Sequence, residues 1–205
     1  MPIKKIFITF AVLSFLTFKA HAEENSKALY IATKKPSEFD VMYSRVSSNM
    51  TGAAIGGLIG AGIQAGVESS KDAERRESLQ PHVPKDIWET AFNGPLYKKF
   101  ERANFKILEK DGKNGISIQI IPEMHGFKVV DTNTKLMSAF ISFQAKFYKN
   151  GKLDNTDNYY LIHKQKHSFE GLTEDPEKAM KQLESIIRKG ARRLANKVIY
   201  SNKEN

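Results

Sequence analysis

From Met50 to Val67 the chain runs for eighteen residues without a charged side chain, with glycines at Gly52, Gly56 and Gly60 and again at Gly62 and Gly66. Residues four apart share a face of a helix, so the first three make a groove of bare backbone into which another helix can settle. Ile55, Ile59 and Ile63 repeat at the same spacing and form a branched stripe beside the groove. Glycine costs about 1 kcal/mol per residue in a helix exposed to water, so this segment stays helical only when another surface covers it. That surface is a bilayer, a second copy of the chain, or the chain's own domain. The run approaches the roughly 20 residues that span a hydrocarbon core, yet its glycines and alanines leave it only weakly apolar.

The N-terminus carries a different signal. Lys4 and Lys5 precede an uninterrupted apolar run from Ile6 to Leu16, and Ala20-His21-Ala22 precedes an abrupt switch to Glu23-Glu24. Basic start, short apolar run and small residues before the cut are the order of a secretory signal peptide. The apolar run falls well short of a membrane span, so residues 1–22 are expected to be removed after export. Without them the net charge drops by three lysines from +9 to +6. This charge is uneven, since residues 23–80 carry seven basic and eight acidic side chains and the remainder holds the excess. In an exported chain a basic C-terminal half faces an anionic membrane surface or an acidic protein partner rather than nucleic acid.

The chain contains no cysteine, which rules out a disulfide framework, a thiolate zinc site and a lipid-modified N-terminal Cys. His163 and His167 are four apart, but in a strand that spacing separates them by about 13 Å and no nearby acid completes a metal site. His82 and His125 read as ordinary loop residues. The serines have no nucleophile-elbow context, and no glycine motif ends in the Gly-Lys-Ser/Thr of a phosphate loop. Catalytic residues, metals and cofactors are therefore not expected.

Ala28–Ala32 reads as a strand, and residues 37–49 as mixed and polar with an amphipathic turn through Phe39 and Met42. Glu68–Leu79 is a charged helical extension of the glycine segment, ended by Pro81 and Pro84. Ile87, Trp88, Ala91 and Phe92 start a helix that Asn93-Gly94-Pro95 interrupts. Leu96, Tyr97, Phe100 and Ala103 resume it before a strand at Phe105–Leu108. Ile116, Ile118 and Ile120 alternate with polar residues in a strand expected to stop at Pro122. Met137 to Phe147 alternate likewise, and Asn150-Gly151 marks a hairpin of the type I′ kind. The return strand is expected to break at Asp154–Asn158, with a bulge or a longer loop there, and to resume through Tyr159 to His167. Asp175 and Pro176 open a last helix with Leu183, Ile186, Ile187, Ala191, Leu194, Ala195 and Val198 on one face. Lys181, Arg188, Lys189, Arg192, Arg193 and Lys197 take much of the rest as a basic surface.

These elements predict an α+β fold: a largely antiparallel sheet of four to five strands with helices on one face, including the long C-terminal amphipathic helix. The glycine segment adds a helix or hairpin. The organisation expected is a signal peptide (1–22), an N-terminal strand and connector (23–49), the glycine segment with its charged extension (50–80) and an α+β domain (81–205). The run Gly52-Ala53-Ala54-Ile55-Gly56-Gly57-Leu58-Ile59-Gly60-Ala61-Gly62 resembles that of glycine-zipper envelope proteins of Gram-negative bacteria. Gly94 to Leu108 resembles the helix-to-strand passage of periplasmic accessory lipoproteins that assist transport or secretion complexes. The resemblance implies association with the outer membrane and a role in assembly, through an envelope protein partner or self-association. Two alternatives stand beside it, a soluble periplasmic ligand-binding module and a secreted membrane-inserting effector.

If the zipper binds a membrane or another copy, Gly56→Leu and Gly60→Leu fill its groove and move the mature protein toward the soluble, monomeric fraction. Detergent-free fractionation and sizing read this out, and a wild type that is already wholly soluble and monomeric removes the zipper's role.

Overall fold

A computed structural model describes residues 27–35, 39–42, 70–109, 116–131 and 133–201. The expected signal peptide (1–22) and Gly52, Ile55, Gly56, Ile59, Gly60, Gly62, Ile63 and Gly66 lie outside the described residues. The described elements follow the order β1 (Lys27–Thr33), β2 (Phe39–Met42), α1 (Ser70–Leu79), α2 (Gly94–Arg102), β3 (Phe105–Leu108), β4 (Ile116–Asp131), β5 (Leu136–Lys149), β6 (Lys152–Ile162), α3 (Phe169–Glu174) and α4 (Pro176–Ser201). No described helix is long and apolar enough to cross a membrane.

The strands form one six-stranded sheet in the order β3-β1-β4-β5-β6, with β2 also paired to β4. The sheet is mixed rather than largely antiparallel. β1 runs parallel to both β3 and β4, and β2 runs parallel to β4, while β4-β5 and β5-β6 are antiparallel. Alternation of apolar and polar residues reveals which face of a strand is buried but carries nothing about its direction. Thus Leu29 and Ile31 announced a strand and left its orientation open.

β4 organises this sheet. β1 pairs with its first part, Ile116 to Ile120, and β2 with its later part, His125 to Lys128, so two short strands lie end to end along one edge. Phe39–Met42 is thereby a strand, not an amphipathic turn, with Phe39 and Val41 buried. Pro122 does not end β4. It falls between the stretches paired with β1 and β2, beside a register shift opposite β5, where a missing N–H interrupts no regular ladder. At Gly126, φ is +150°, and a Cβ there would lie 1.8 Å from the Asp40 carbonyl oxygen of β2.

The β5-β6 hairpin turns through Asn150 and Gly151 at φ of 53° and 74°, the paired positive angles of a type I′ turn. β6 runs on through Asp154–Asn158 with a bulge rather than a longer loop: Phe147 of β5 pairs with Asn155 and Tyr148 with Leu153, so Asp154 is the extra residue. It also ends earlier than expected, at Ile162. Ser138 Oγ donates to the carbonyls of His163 and Gln165, and His167 makes a bridge to Met137.

The core gathers on the face of the sheet carrying Ile118, Ile120, Phe127, Ile141 and Phe143. α4 lies across it, capped by Asp175, whose Oδ1 accepts the Lys178 N–H at 3.0 Å, and it buries Leu183, Ile186, Ile187, Ala191, Leu194, Ala195 and Val198. Each large aliphatic side chain buried there contributes about 2 kcal/mol. The exposed Lys181–Glu177 pair of the same helix, at 3.2 Å, adds well under about 1 kcal/mol, so packing and not charge places α4. Gly190 sets the approach. A Cβ there would stand 2.7 Å from Ile141 Cδ1 and 3.0 Å from Phe143 Cε1.

His125 is a core residue and not a loop one: it is 4% exposed and held edge-on to Phe39 at 6.0 Å and Trp88 at 5.9 Å. Its Nδ1 finds no hydrogen-bond partner among the described residues. Burial lowers its pKa from 6.5 to about 4, because a charged imidazolium loses its hydration there. Between these values the unfolded chain binds a proton that the folded chain refuses, so stability falls as pH falls through that window. The fold is expected to lose about 2 kcal/mol between about pH 7 and about pH 5 from this group alone. Urea midpoints at the two pH values measure it, and His125→Phe should flatten the dependence.

The two close glycines give a ranked expectation. Gly126→Ala meets rigid backbone at a φ that L side chains rarely adopt and should cost about 3 kcal/mol or more. Gly190→Ala meets mainly side-chain ends, and overpacking partly offset by better helix propensity should cost about 1 kcal/mol. Thermal or urea unfolding of both variants checks the order.

Candidate functional site: a cationic groove between two helices

α2 begins in an unusual way. A wider, π-helical turn, Glu89–Asn93, leads directly into it, so the expected interruption at Asn93-Gly94-Pro95 is instead a change of helical pitch. Pro95 has no N–H to give the preceding turn, and the wider turn absorbs that missing bond. Asn93, 7% exposed, fixes the junction: its Nδ2 donates to Glu89 Oε2 at 2.7 Å and its Oδ1 accepts from Thr33 Oγ1 of β1 at 2.9 Å.

Beyond this junction Leu96 and Phe100 point into the core, Phe100 meeting Phe105 of β3 edge to face at 5.5 Å. Lys98, Lys99 and Arg102 are left on the remaining surface of α2. α4 packs alongside and presents Arg188 and Arg192, one helical turn apart. Between them lies an open groove of about 750 Å³, lined by Thr90, Gly94, Pro95, Lys98, Lys99, Arg102, Ala103, Arg188, Arg192 and Ile199. Five of these residues are cationic and none is acidic. Among the described residues only Arg188 has an ion pair, with Glu184 at 3.6 Å.

The basic residues expected to form one surface are therefore divided. Arg188 and Arg192 face α2. Lys189, Arg193 and Lys197, also four apart, run along the opposite flank beside β6. There Lys197 pairs with Asp157 and lies 5.7 Å from the centre of the Phe147 ring. Tyr159 stacks on Phe143 at 4.5 Å, and its hydroxyl pKa is pushed up by burial and by Asp157 while Arg193 pulls it back. The imidazole of His163 is pushed down by burial first and then by Lys189 and His167. Lys181 stands apart near the helix start, paired with Glu177.

Lys98, Lys99 and Arg102 escaped the sequence reading. Their spacing opposite Leu96 and Phe100 placed them on one outward face, yet nothing local announced that α4 would supply the second wall. His167 Nε2 lies 2.6 Å from Gln182 Nε2 of α4. Among the described residues no three His, Asp or Glu side chains gather as a metal site. At Gly190 the space between sheet and α4 is taken up by Ile141, Phe143 and Phe92.

No family model matches the chain, and no curated protein does either. Among solved structures it is similar to a minor lipoprotein from Acinetobacter baumannii, with a TM-score of 0.49 and 4% identity over 86% of this chain and 92% of that one. A DUF330 protein from Xanthomonas campestris gives a TM-score of 0.45 and 8% identity over 87% of this chain and 86% of that one. An uncharacterised protein gives 0.39 and 11%, over 84% and 92%. These identities are too low to carry any residue's role across.

Proposed function

We propose that the chain is an exported, non-catalytic accessory or assembly protein of the bacterial cell envelope, which docks its α+β domain on an anionic partner through the groove between α2 and α4. The observation that carries this reading is the convergence of Lys98, Lys99, Arg102, Arg188 and Arg192 from two helices on one concavity, with no acid among the described residues of its lining. Like charges held together repel, and a binding partner of opposite sign relieves that repulsion. The signal-peptide pattern of residues 1–22 supports export, and the glycine segment of residues 50–67 supplies the second contact, with membrane or with other copies.

Export predicts that the mature protein begins at Glu23, which intact mass of the secreted form establishes. Docking predicts that the double reversal Arg102→Glu and Arg192→Glu lowers binding to washed envelope membranes at least roughly tenfold, since each basic residue near an anionic surface contributes about 1 kcal/mol. An unprocessed cytosolic protein would end the envelope reading, and unchanged membrane binding by the reversed variant would end the groove's part in it.

A further inference from the structure

The cations of the groove are arranged as two walls and not as a track. α2 contributes Lys98, Lys99 and Arg102 over little more than one helical turn, and α4 contributes Arg188 and Arg192 opposite them. Walls that converge favour a compact group of high charge. An acidic peptide strings single charges along its length and leaves most of them outside a groove only about 15 Å long. A phosphomonoester concentrates between one and two negative charges and three acceptor oxygens at one point. Three arginines among five cations fit that chemistry, because the planar guanidinium fork binds phosphate oxygens in pairs.

The groove is not purely polar. Pro95, Ala103 and Ile199 form apolar parts of its lining. Tyr200, next along α4, is 64% exposed, an amphipathic aromatic of the kind enriched where apolar and aqueous phases meet. A free phosphate leaves these apolar residues unused, whereas a phosphate carried on a lipid brings glycerol and acyl carbons to them.

Resting on the docking reading above, we infer that the groove binds the phosphomonoester headgroup of an anionic membrane lipid, with the arginines on the phosphate and Ile199 and Ala103 against the carbons below it. Flotation of the mature protein with phosphatidylcholine vesicles containing phosphatidic acid tests this. Arg102→Gln, Arg188→Gln and Arg192→Gln together should weaken binding roughly a hundredfold. The matched triple on the opposite flank, Lys189→Gln, Arg193→Gln and Lys197→Gln, removes the same charge and should change it little. Circular dichroism verifies folding, and if the arginine triple does not fold, Lys98→Gln with Lys99→Gln replaces it. Equal loss in both triples overturns the inference in favour of plain net charge. Equal binding to phosphatidylglycerol vesicles overturns the phosphomonoester, and binding of glycerol 3-phosphate without vesicle binding overturns the lipid. Groove-dependent binding to washed envelope membranes without binding to any of these vesicles sinks this inference alone and leaves the docking reading standing.

Discussion

The distance at which α4 rests on the sheet is set where Gly190 meets Ile141 and Phe143, and the rest of the domain is arranged around that contact. With no side chain at Gly190, the helix comes close enough for Ile186, Ile187, Leu194 and Val198 to be almost wholly withdrawn from water. The same contact fixes the rotation of α4 about its axis. Residues 188 and 192 then fall on the side of α2, and residues 189, 193 and 197 on the side of β6. A contact with no charge in it thus decides which charges meet.

β4 plays the corresponding part within the sheet. Its sixteen residues are long enough to receive β1 and β2 one after the other along one edge while β5 runs down the other. Pro122 sits where the first partner has ended and the second has not begun, so it is accommodated in the middle of a long strand. Farther along, Gly126 permits Asp40 of β2 to pass at a distance that any side chain would block. His125 is carried beside it into the aromatic core with Trp88, Phe39 and Phe127. The low pKa of that imidazole follows from its place in a buried ladder.

Much of this was legible from local pattern. Asp175-Pro176 and the apolar face from Leu183 to Val198 specify α4, Asn150-Gly151 specifies the hairpin, and the alternation from Met137 to Phe147 specifies β5. In each case the residues that form the element also determine it, through capping, turn geometry or periodicity. What could not be read depends on residues far apart in the chain. The direction of β1 is settled by β3 and β4, more than seventy residues later. The continuity of β6 through Asp154–Asn158 is settled by its pairing with β5, which passes over Asp154 as a bulge, and the burial of His125 by β2 and Trp88. The basic residues of α4 were visible as a set, but their division into two flanks was not, nor was the part of Lys98, Lys99 and Arg102, because each waits on the packing of one helix against another.

That division matters more than the total charge. Both flanks of α4 carry cations at one-turn spacing, so a probe sensitive only to net charge would treat them alike. They differ in their surroundings. Lys197 has Asp157 and the face of Phe147, so the field on that flank is partly answered from within the domain. On the other flank Arg188 and Arg192 meet more cations from α2, and among the described residues only Glu184 pairs with them. A field not answered inside a protein extends into the solvent and draws counter-charge from there, with a reach set by the roughly 8 Å screening length of physiological salt. An outward basic surface of even density offers a weak, general attraction. Cations gathered from two helices into one groove give that attraction a place and a direction, and packing has produced it.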